Sequence, residues 1–109
     1  MVSDGGQDLI ENRLLTVEDF RAEIGAAFYV PFNNGVRITL RLREVRSLQY
    51  ASSVGRAREP FLLEFVDTGP FGFVTATYRV YNERLGWQLM RLSPGDWSAS
   101  TRIYRAIYN

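Results

Sequence analysis

The sequence predicts a mainly β domain: a small six-stranded antiparallel meander or partly closed barrel with one short N-terminal helix. Three observations support this prediction. Six short segments are rich in β-branched and aromatic residues, turn residues separate them about every ten residues, and a single segment has helical spacing. A two-layer α+β sheet is the alternative, because one helix can also cover the face of an open sheet.

The length and composition are those of a single domain. The chain has 109 residues, of which 46% are hydrophobic and 23% are charged. Its polar, glycine-bearing start predicts a flexible tail over residues 1–13, followed by one β-rich domain over 14–109. No signal-peptide pattern and no apolar stretch of about 20 residues is present, so we expect a cytoplasmic protein or part of an assembled particle, with no membrane contact.

Three residue types that carry much of enzyme chemistry are missing: cysteine, histidine and lysine. Their absence excludes a catalytic thiolate, a zinc ribbon, histidine-mediated proton transfer and Schiff-base formation. Thirteen arginines against twelve acidic residues give a net charge of +1, which argues neither for nucleic acid nor for a membrane surface, and we do not expect nucleic acid as a partner. We therefore expect no enzyme activity, no cofactor and no metal site.

The segment "LLTVEDFRAEIG" predicts the helix. Thr16 is a good N-cap, and Asp19 stands three residues later, where a capping box places an acid. Leu15 and Phe20 are spaced as a hydrophobic staple around this cap, and Gly25 is the expected stop.

The period then changes to two. "AFYVPF" (27–32) predicts a strand whose Pro31 must face an unpaired side or a sheet edge. Asn34-Gly35 predicts a type I′ hairpin, and "VRITLRLREV" (36–45) follows with strict alternation.

The second half of the chain predicts four more strands and the turns between them. The strands are expected over 61–66, 76–81, 87–92 and 101–109, after a long loop over 46–60. Residues 67–72, 82–86 and 93–96 are predicted turns, the last of type II with Pro94 and Gly95 at its centre. In "DTG" we expect Asp67 to bond its own backbone, as aspartates in turns do.

Several spaced motifs run through the predicted domain: Leu15-Thr16, Gly25-Ala26-Ala27-Phe28, Pro60-Phe61-Leu62-Leu63-Glu64-Phe65, Thr77-Tyr78-Arg79, Leu85-Gly86 and Tyr104-Arg105-Ala106-Ile107-Tyr108-Asn109. Together they resemble an uncharacterised family of small bacterial proteins that are often encoded near phage-tail-collar-like genes. The resemblance implies an accessory or structural role in a tail-like assembly. It implies no catalytic residues.

Apolar residues on both faces of several strands favour an interaction role. The strands over 61–66, 87–92 and 102–108 carry more apolar side chains than one sheet and one helix can cover. The surplus predicts contact with other protein chains in a homo- or hetero-oligomer, through Leu62, Val66, Met90 and Ile107. The expected function is therefore that of a non-enzymatic structural or protein-interaction subunit.

An arginine stripe is the most distinctive surface pattern. Arg37, Arg41 and Arg43 share the polar face of one predicted strand. They either orient a partner at the rim of a contact, or they form a solvated face with Glu44 and Glu64 as cross-strand partners.

Aromatic residues suggest the alternative function, a small ligand-binding β-barrel module for a glycan or a nucleotide. Trp97 is the predicted exposed anchor, and Tyr50 and the loop 46–60 would line the barrel mouth. Tyr81 and Trp87 could stack on such a ligand, although a tryptophan within a strand is more often part of a core.

Overall fold

Six strands and one short helix form the domain in the computed structural model, which describes residues 15–48, 60–67, 69, 72–97 and 101–108. The predicted tail over 1–13 and most of the loop 46–60 lie outside these ranges. The elements are α1 (Val17–Arg21), β1 (Ala27–Pro31), β2 (Arg37–Ser47), β3 (Phe61–Asp67), β4 (Ala76–Asn82), β5 (Gly86–Trp97) and β6 (Arg102–Tyr108).

The strands close into a barrel in the order β1-β2-β3-β6-β5-β4, and every neighbouring pair is antiparallel. The mainly β class and the barrel are thereby confirmed, and the open two-layer sheet is not what forms. Two three-stranded meanders, β1–β3 and β4–β6, are joined along two seams. The β3–β6 seam pairs all of β3, from Phe61 to Asp67, whereas the β1–β4 seam has the single register pair Tyr29–Tyr81.

The weak β1–β4 seam explains the proline in β1. The amide of Phe32 donates to the carbonyl of Val36 at 2.8 Å, so it points toward β2. Backbone groups alternate in direction along a strand, and the nitrogen of Pro31 therefore points toward β4. Because the register there pairs only Tyr29, Pro31 removes no ladder hydrogen bond, as the sequence predicted.

The β1–β2 hairpin forms where it was predicted, but with a different turn. The amide of Gly35 donates to the carbonyl of Phe32 at 3.1 Å, and Gly35 has a φ of 87°. These features are those of a three-residue loop that ends in a left-handed residue, not of a two-residue type I′ turn. Asn34 contributes by accepting a bond from the amide of Val36 at 3.0 Å.

The inside of the barrel is filled by side chains. On β3 the inward residues are Phe61, Leu63 and Phe65, and all three are fully buried. At one end Phe20 of α1 inserts between the strands, with its ring centroid 5.6 Å from Phe61 and 5.2 Å from Tyr108. A six-stranded barrel has room for such a packed core but little more.

A second aromatic cluster lies at the opposite end of the barrel. The rings of Phe73 and Tyr104 are stacked with centroids 4.0 Å apart, and Tyr78 meets Phe73 edge-on at 4.8 Å. The Tyr104 hydroxyl accepts a bond from the amide of Phe73 at 2.9 Å. Burial raises the pKa of Tyr104 above its ordinary value, and this hydrogen bond lowers it only in part.

The helix is held by its cap and by the β4–β5 turn. The Thr16–Asp19 capping box forms as predicted, but α1 ends at Arg21, well before Gly25, and Ile24 lies exposed beyond its end. Arg84 anchors the end of the helix by pairing with Glu23 and donating to the carbonyl of Asp19 at 2.8 Å. Within the described ranges, no helix is long and apolar enough to cross a membrane.

β5 departs most from its predicted boundaries. The segment 93–96 is not a turn, because β5 continues to Trp97 and pairs with β6 through it. Gly95 and Asp96 together oppose the single residue Ile103, which is a β-bulge. Proline is tolerated at position 94 because the last pair between β5 and β4 is Leu92–Ala76, so one side of the strand is open there.

Candidate functional site

The outer wall of the barrel carries an acidic residue that is buried from solvent. Successive strand residues alternate between the two faces, so Leu62, Glu64 and Val66 of β3 point outward. Yet the side chain of Glu64 is only 3% exposed. Two arginines cover it, one from each neighbouring strand.

Arg43 and Arg105 hold the Glu64 carboxylate by one oxygen each. Arg43 Nε donates to Oε2 at 3.0 Å and its Nη2 donates to the same oxygen, whereas Arg105 Nε donates to Oε1 at 3.1 Å. Local irregularities shape both contacts. The register of β2 shifts between Leu42 and Glu44, and a Cβ at Gly95 would lie 2.7 Å from Arg105 Nη1.

The pKa of Glu64 results from opposing effects. Burial raises the pKa, but the hydrogen bonds and positive charges of Arg43 and Arg105 lower it more, and the pKa falls below its ordinary value of 4.5. The glutamate is therefore ionised at neutral pH, and the cluster carries a net charge of +1.

Apolar side chains surround this cluster on β3 and β6. Leu62 pairs with Ile107, and Val66 pairs with Ile103. Ile107 is 53% exposed, whereas Leu62 is 8% exposed although it lies on the outer wall. We call the outward residues of β3 and β6, together with Arg43, the acid-centred face.

A second group of outward residues lies on β1, β4 and the adjoining parts of β2 and β5. Cζ of Arg37 lies over the ring of Tyr29, 4.2 Å from its centroid, and the stacked rings of Tyr29 and Tyr81 have centroids 6.5 Å apart. The ring centroids of Tyr81 and Trp87 are 5.1 Å apart, and Cζ of Arg79 lies 5.1 Å from the ring centroid of Trp87. We call these five residues the aromatic face. All three rings are partly exposed.

The two faces lie on opposite sides of the barrel. In the closed order, β2 separates β1 from β3, and β5 separates β4 from β6. The pairing between strands thus divides the outward arginines into two unlike environments. On one face they surround a glutamate, and on the other they pack on aromatic rings.

The arginines of the β2 stripe point outward as predicted, but they belong to different surfaces and have different contacts. Arg37 belongs to the aromatic face and Arg43 to the acid-centred face. Arg41, between them, donates to the carbonyl of Gly25 at 3.1 Å. Of the two predicted cross-strand partners, Glu64 pairs with Arg43, whereas Glu44 pairs at 3.0 Å with Arg46 of its own strand.

Two predictions about orientation were wrong. Met90 was expected on a second apolar face but points into the barrel and is 2% exposed, so the outward apolar residues of its strand are Trp87 and Leu89. Trp87 was expected in the core and instead lies on the wall. The backbone of Trp97 pairs with Arg102, but its side chain, like Tyr50, lies outside the described residues.

A shallow hollow of about 330 Å³ is found at the hairpin end of the barrel, lined by Phe32, Asn34, Val36, Ile38 and Gly72. It is mainly apolar.

In "DTG", Asp67 at the end of β3 accepts a bond from the amide of Gly69 at 2.8 Å, as predicted. No group of three or more acidic residues that could hold a metal occurs within the part of the chain that the structure describes.

Residues 15–108 match the model of a protein family described as a domain of unknown function, DUF6916. The chain belongs to this family. No curated protein and no solved structure matches it. Within this DUF6916 domain, many of the residues that carry the sequence resemblance are structural: Phe28, Phe61, Leu63, Phe65 and Tyr104 are all buried in the core.

The aromatic face was predicted only in part: Tyr81 and Trp87 were named as rings that could stack on a ligand, but they were not joined to Tyr29 or to the two arginines. Its signals are present in the sequence, because Tyr29 alternates with inward Phe28 and Val30, and Tyr81 and Trp87 flank a predicted turn. What the sequence does not show is that β1 and β4 meet at Tyr29 and Tyr81. That seam joins residues 52 positions apart.

Proposed function

We propose that this DUF6916 domain is a non-enzymatic structural subunit that works by binding another protein chain through its acid-centred face. The observation that carries the proposal is the exposure of Ile107, an aliphatic side chain, on the wall that also carries the buried Glu64 cluster. Apolar side chains beside ordered arginines are typical of the centres of protein interfaces.

The arrangement of charges favours a second copy of the chain as the partner. The acid-centred face and its margin contain arginines together with Glu44, whose side chain is 42% exposed. A two-fold contact places the same surface on both subunits, so a face with both signs of charge can pair with itself. The aromatic face carries only positive charge among its described residues and would repel itself.

The resemblance to small bacterial proteins encoded near phage-tail-collar-like genes extends the proposal. We place the subunit in a bacterial, tail-like assembly, either in the cytoplasm or in the assembled particle. Self-association through the acid-centred face would supply the repeated contacts that such an assembly needs.

Sedimentation velocity over a series of protein concentrations tests the proposal. We expect the full chain to form dimers or larger species as concentration rises, because burial of Ile107 stabilises the contact. Ile107→Ser should abolish this association. The matched control is Leu89→Ser, since Leu89 is also 53% exposed on the wall but lies beside the aromatic face.

A monomer at every concentration would contradict self-association. Equal loss of association in Ile107→Ser and Leu89→Ser would contradict the choice of face. Circular dichroism of both variants establishes that the barrel is intact in each.

The hollow between Phe32 and Gly72 supports a second candidate function, the small-ligand module for a glycan or nucleotide. Its volume suits a ligand of a few tens of atoms at most. Filling it with Val36→Trp should abolish such binding without affecting association. Calorimetry against nucleoside monophosphates and short oligosaccharides is the measurement, and no heat with the wild-type chain would contradict this candidate.

A further inference from the structure

The aromatic face contains three rings from three neighbouring strands. Tyr29 stands on β1, Tyr81 on β4 and Trp87 on β5. Strands in a sheet are about 4.8 Å apart, so the row spans about 10 Å across the wall. Aromatic residues on the sheet surface of RNA-binding domains stack two or three bases over a row of this kind.

An arginine lies over the ring at each end of the row. Arg37 lies over Tyr29 and Arg79 lies over Trp87, within cation–π distance in both cases. A guanidinium that rests its flat face on a ring still presents N–H donors at its edges. Each arginine can therefore bind a phosphate oxygen while the ring, or the guanidinium plane itself, supports a base.

The outward strand positions around the row carry charge of one sign. Arg41 and Arg91 extend the positive charge beyond the row, which raises the number of outward arginines to four. Among the described strand residues, the outward positions of β1 and β4, of β2 from 37 to 41 and of β5 from 87 to 93 carry no aspartate or glutamate. The near-neutral total charge does not show this local excess, because the acidic residues lie off these positions, with Glu64 and Glu44 on other parts of the wall and the exposed Glu83 in the turn between β4 and β5.

We infer that the aromatic face binds single-stranded nucleic acid, with bases stacked on Tyr29, Tyr81 and Trp87 and phosphates bound by Arg37 and Arg79. A polyanion accounts for the exposed positive charge of Arg37, Arg79 and Arg91, which a neutral glycan leaves unexplained. Unpaired bases account for the rings, which an acidic peptide does not need. The inference uses other residues than the proposed function, so either can fail without the other.

Fluorescence anisotropy with the full chain and a labelled oligothymidine of about 12 nucleotides is the test, begun in about 50 mM salt. Trp87→Ala should weaken binding about tenfold or more, because one stacked base is lost, and Trp87→Phe should restore most of it. Leu89→Ala is the matched control on the same strand and should change the affinity less than about twofold.

The salt dependence of binding tests the role of the arginines. Each of Arg37→Ala and Arg79→Ala should reduce the slope of log affinity against log salt by about 0.7, the value for one phosphate on a single strand. Arg46→Ala should leave the slope unchanged, since Arg46 pairs with Glu44 away from the aromatic face.

Stacking has its own optical signature. The chain has two tryptophans, so in a Trp97→Phe background the fluorescence comes from Trp87. Oligothymidine should quench this emission in step with the anisotropy.

Several outcomes would overturn the inference. Equal affinity for a duplex of the same length would mean that unpaired bases are not recognised, and equal affinity for polyglutamate would mean a simple polyanion surface. Binding of a neutral oligosaccharide that salt does not weaken would assign the face to glycans instead. Absence of binding at low salt would end the proposal outright.

Discussion

The two faces of the barrel use the same residue type in opposite ways. On the acid-centred face, Arg43 and Arg105 are paired with a glutamate that they shield from water. On the aromatic face, Arg37 and Arg79 lie on rings. The first arrangement fulfils the hydrogen bonding of a buried carboxylate and stabilises the fold. The second leaves both arginines exposed, and in the nucleic-acid site that we infer it contributes mainly to binding.

Arginines that share one face of a strand therefore do not share one role. Arg37 and Arg43 alternate regularly on β2, yet the strand beside each one decides what it does. Arg37 meets β1 and its tyrosine, whereas Arg43 meets β3 and its glutamate. The pairing register, not the composition of the strand, sets the chemistry of the wall.

The largest stability difference between the faces is expected from Glu64→Gln. Loss of the carboxylate charge weakens hydrogen bonds to two guanidiniums, and we expect the free energy of unfolding to fall by about 1–3 kcal/mol. Urea denaturation measures this. Glu44→Gln is the matched control on the same wall, and because Glu44 is half-exposed it should cost at most about 0.5 kcal/mol. Equal effects of the two substitutions would contradict the special role of Glu64.

The pH dependence of stability should reveal the same group. The pKa of Glu64 is lower in the folded chain than in the unfolded chain, so its stabilising contribution is complete above the ordinary value of 4.5. It is lost as pH falls through the lower, folded pKa. The difference in unfolding free energy between wild type and Glu64→Gln should therefore shrink below about pH 4.5. A difference that stays constant down to pH 2, well below any ordinary carboxyl pKa, would contradict the assignment.

A smaller effect is expected from Gly95→Ala. The new Cβ would displace the Arg105 guanidinium, and we expect a loss of about 1 kcal/mol from the weakened bond to Glu64. In an Arg105→Ala background the same substitution should cost almost nothing. A double-mutant cycle from urea denaturation gives the coupling, and additive effects would show that Gly95 does not act through Arg105.

The smallest effect on stability is expected on the aromatic face. Arg79→Gln removes one exposed cation–π contact and should lower the free energy of unfolding by about 0.5 kcal/mol. Thermal unfolding followed by circular dichroism is sufficient here. A loss as large as that of Glu64→Gln would mean that the aromatic face is structural, and would erase the contrast between the faces.

Local sequence signals predicted the elements well where one residue dictates the backbone. The Thr16–Asp19 cap, the glycine of the 33–35 turn and the unpaired side of Pro31 all follow from the chemistry of single positions. The segment 93–96 failed because proline and glycine suit a bulge as well as a turn. Only the pairing with β6 distinguishes them.

The faces themselves could be predicted only in part. Alternation identified Leu62, Val66 and Ile107 as outward residues, and Glu64 as an available partner for the arginines. It could not show that Leu62 would be covered, because cross-strand neighbours decide burial on the wall. It could not assemble the aromatic face, because the Tyr29–Tyr81 seam depends on barrel closure.

Amide chemical shifts of the full chain test whether the wall is divided into two surfaces with separate partners. Addition of single-stranded oligothymidine should shift amides of β1, of β4 and of the beginning of β5, while a rise in protein concentration should shift those of β3 and β6. Two non-overlapping sets of shifted amides would support this division of the wall. One common set of shifted amides in both titrations, or no shift in either, would contradict it.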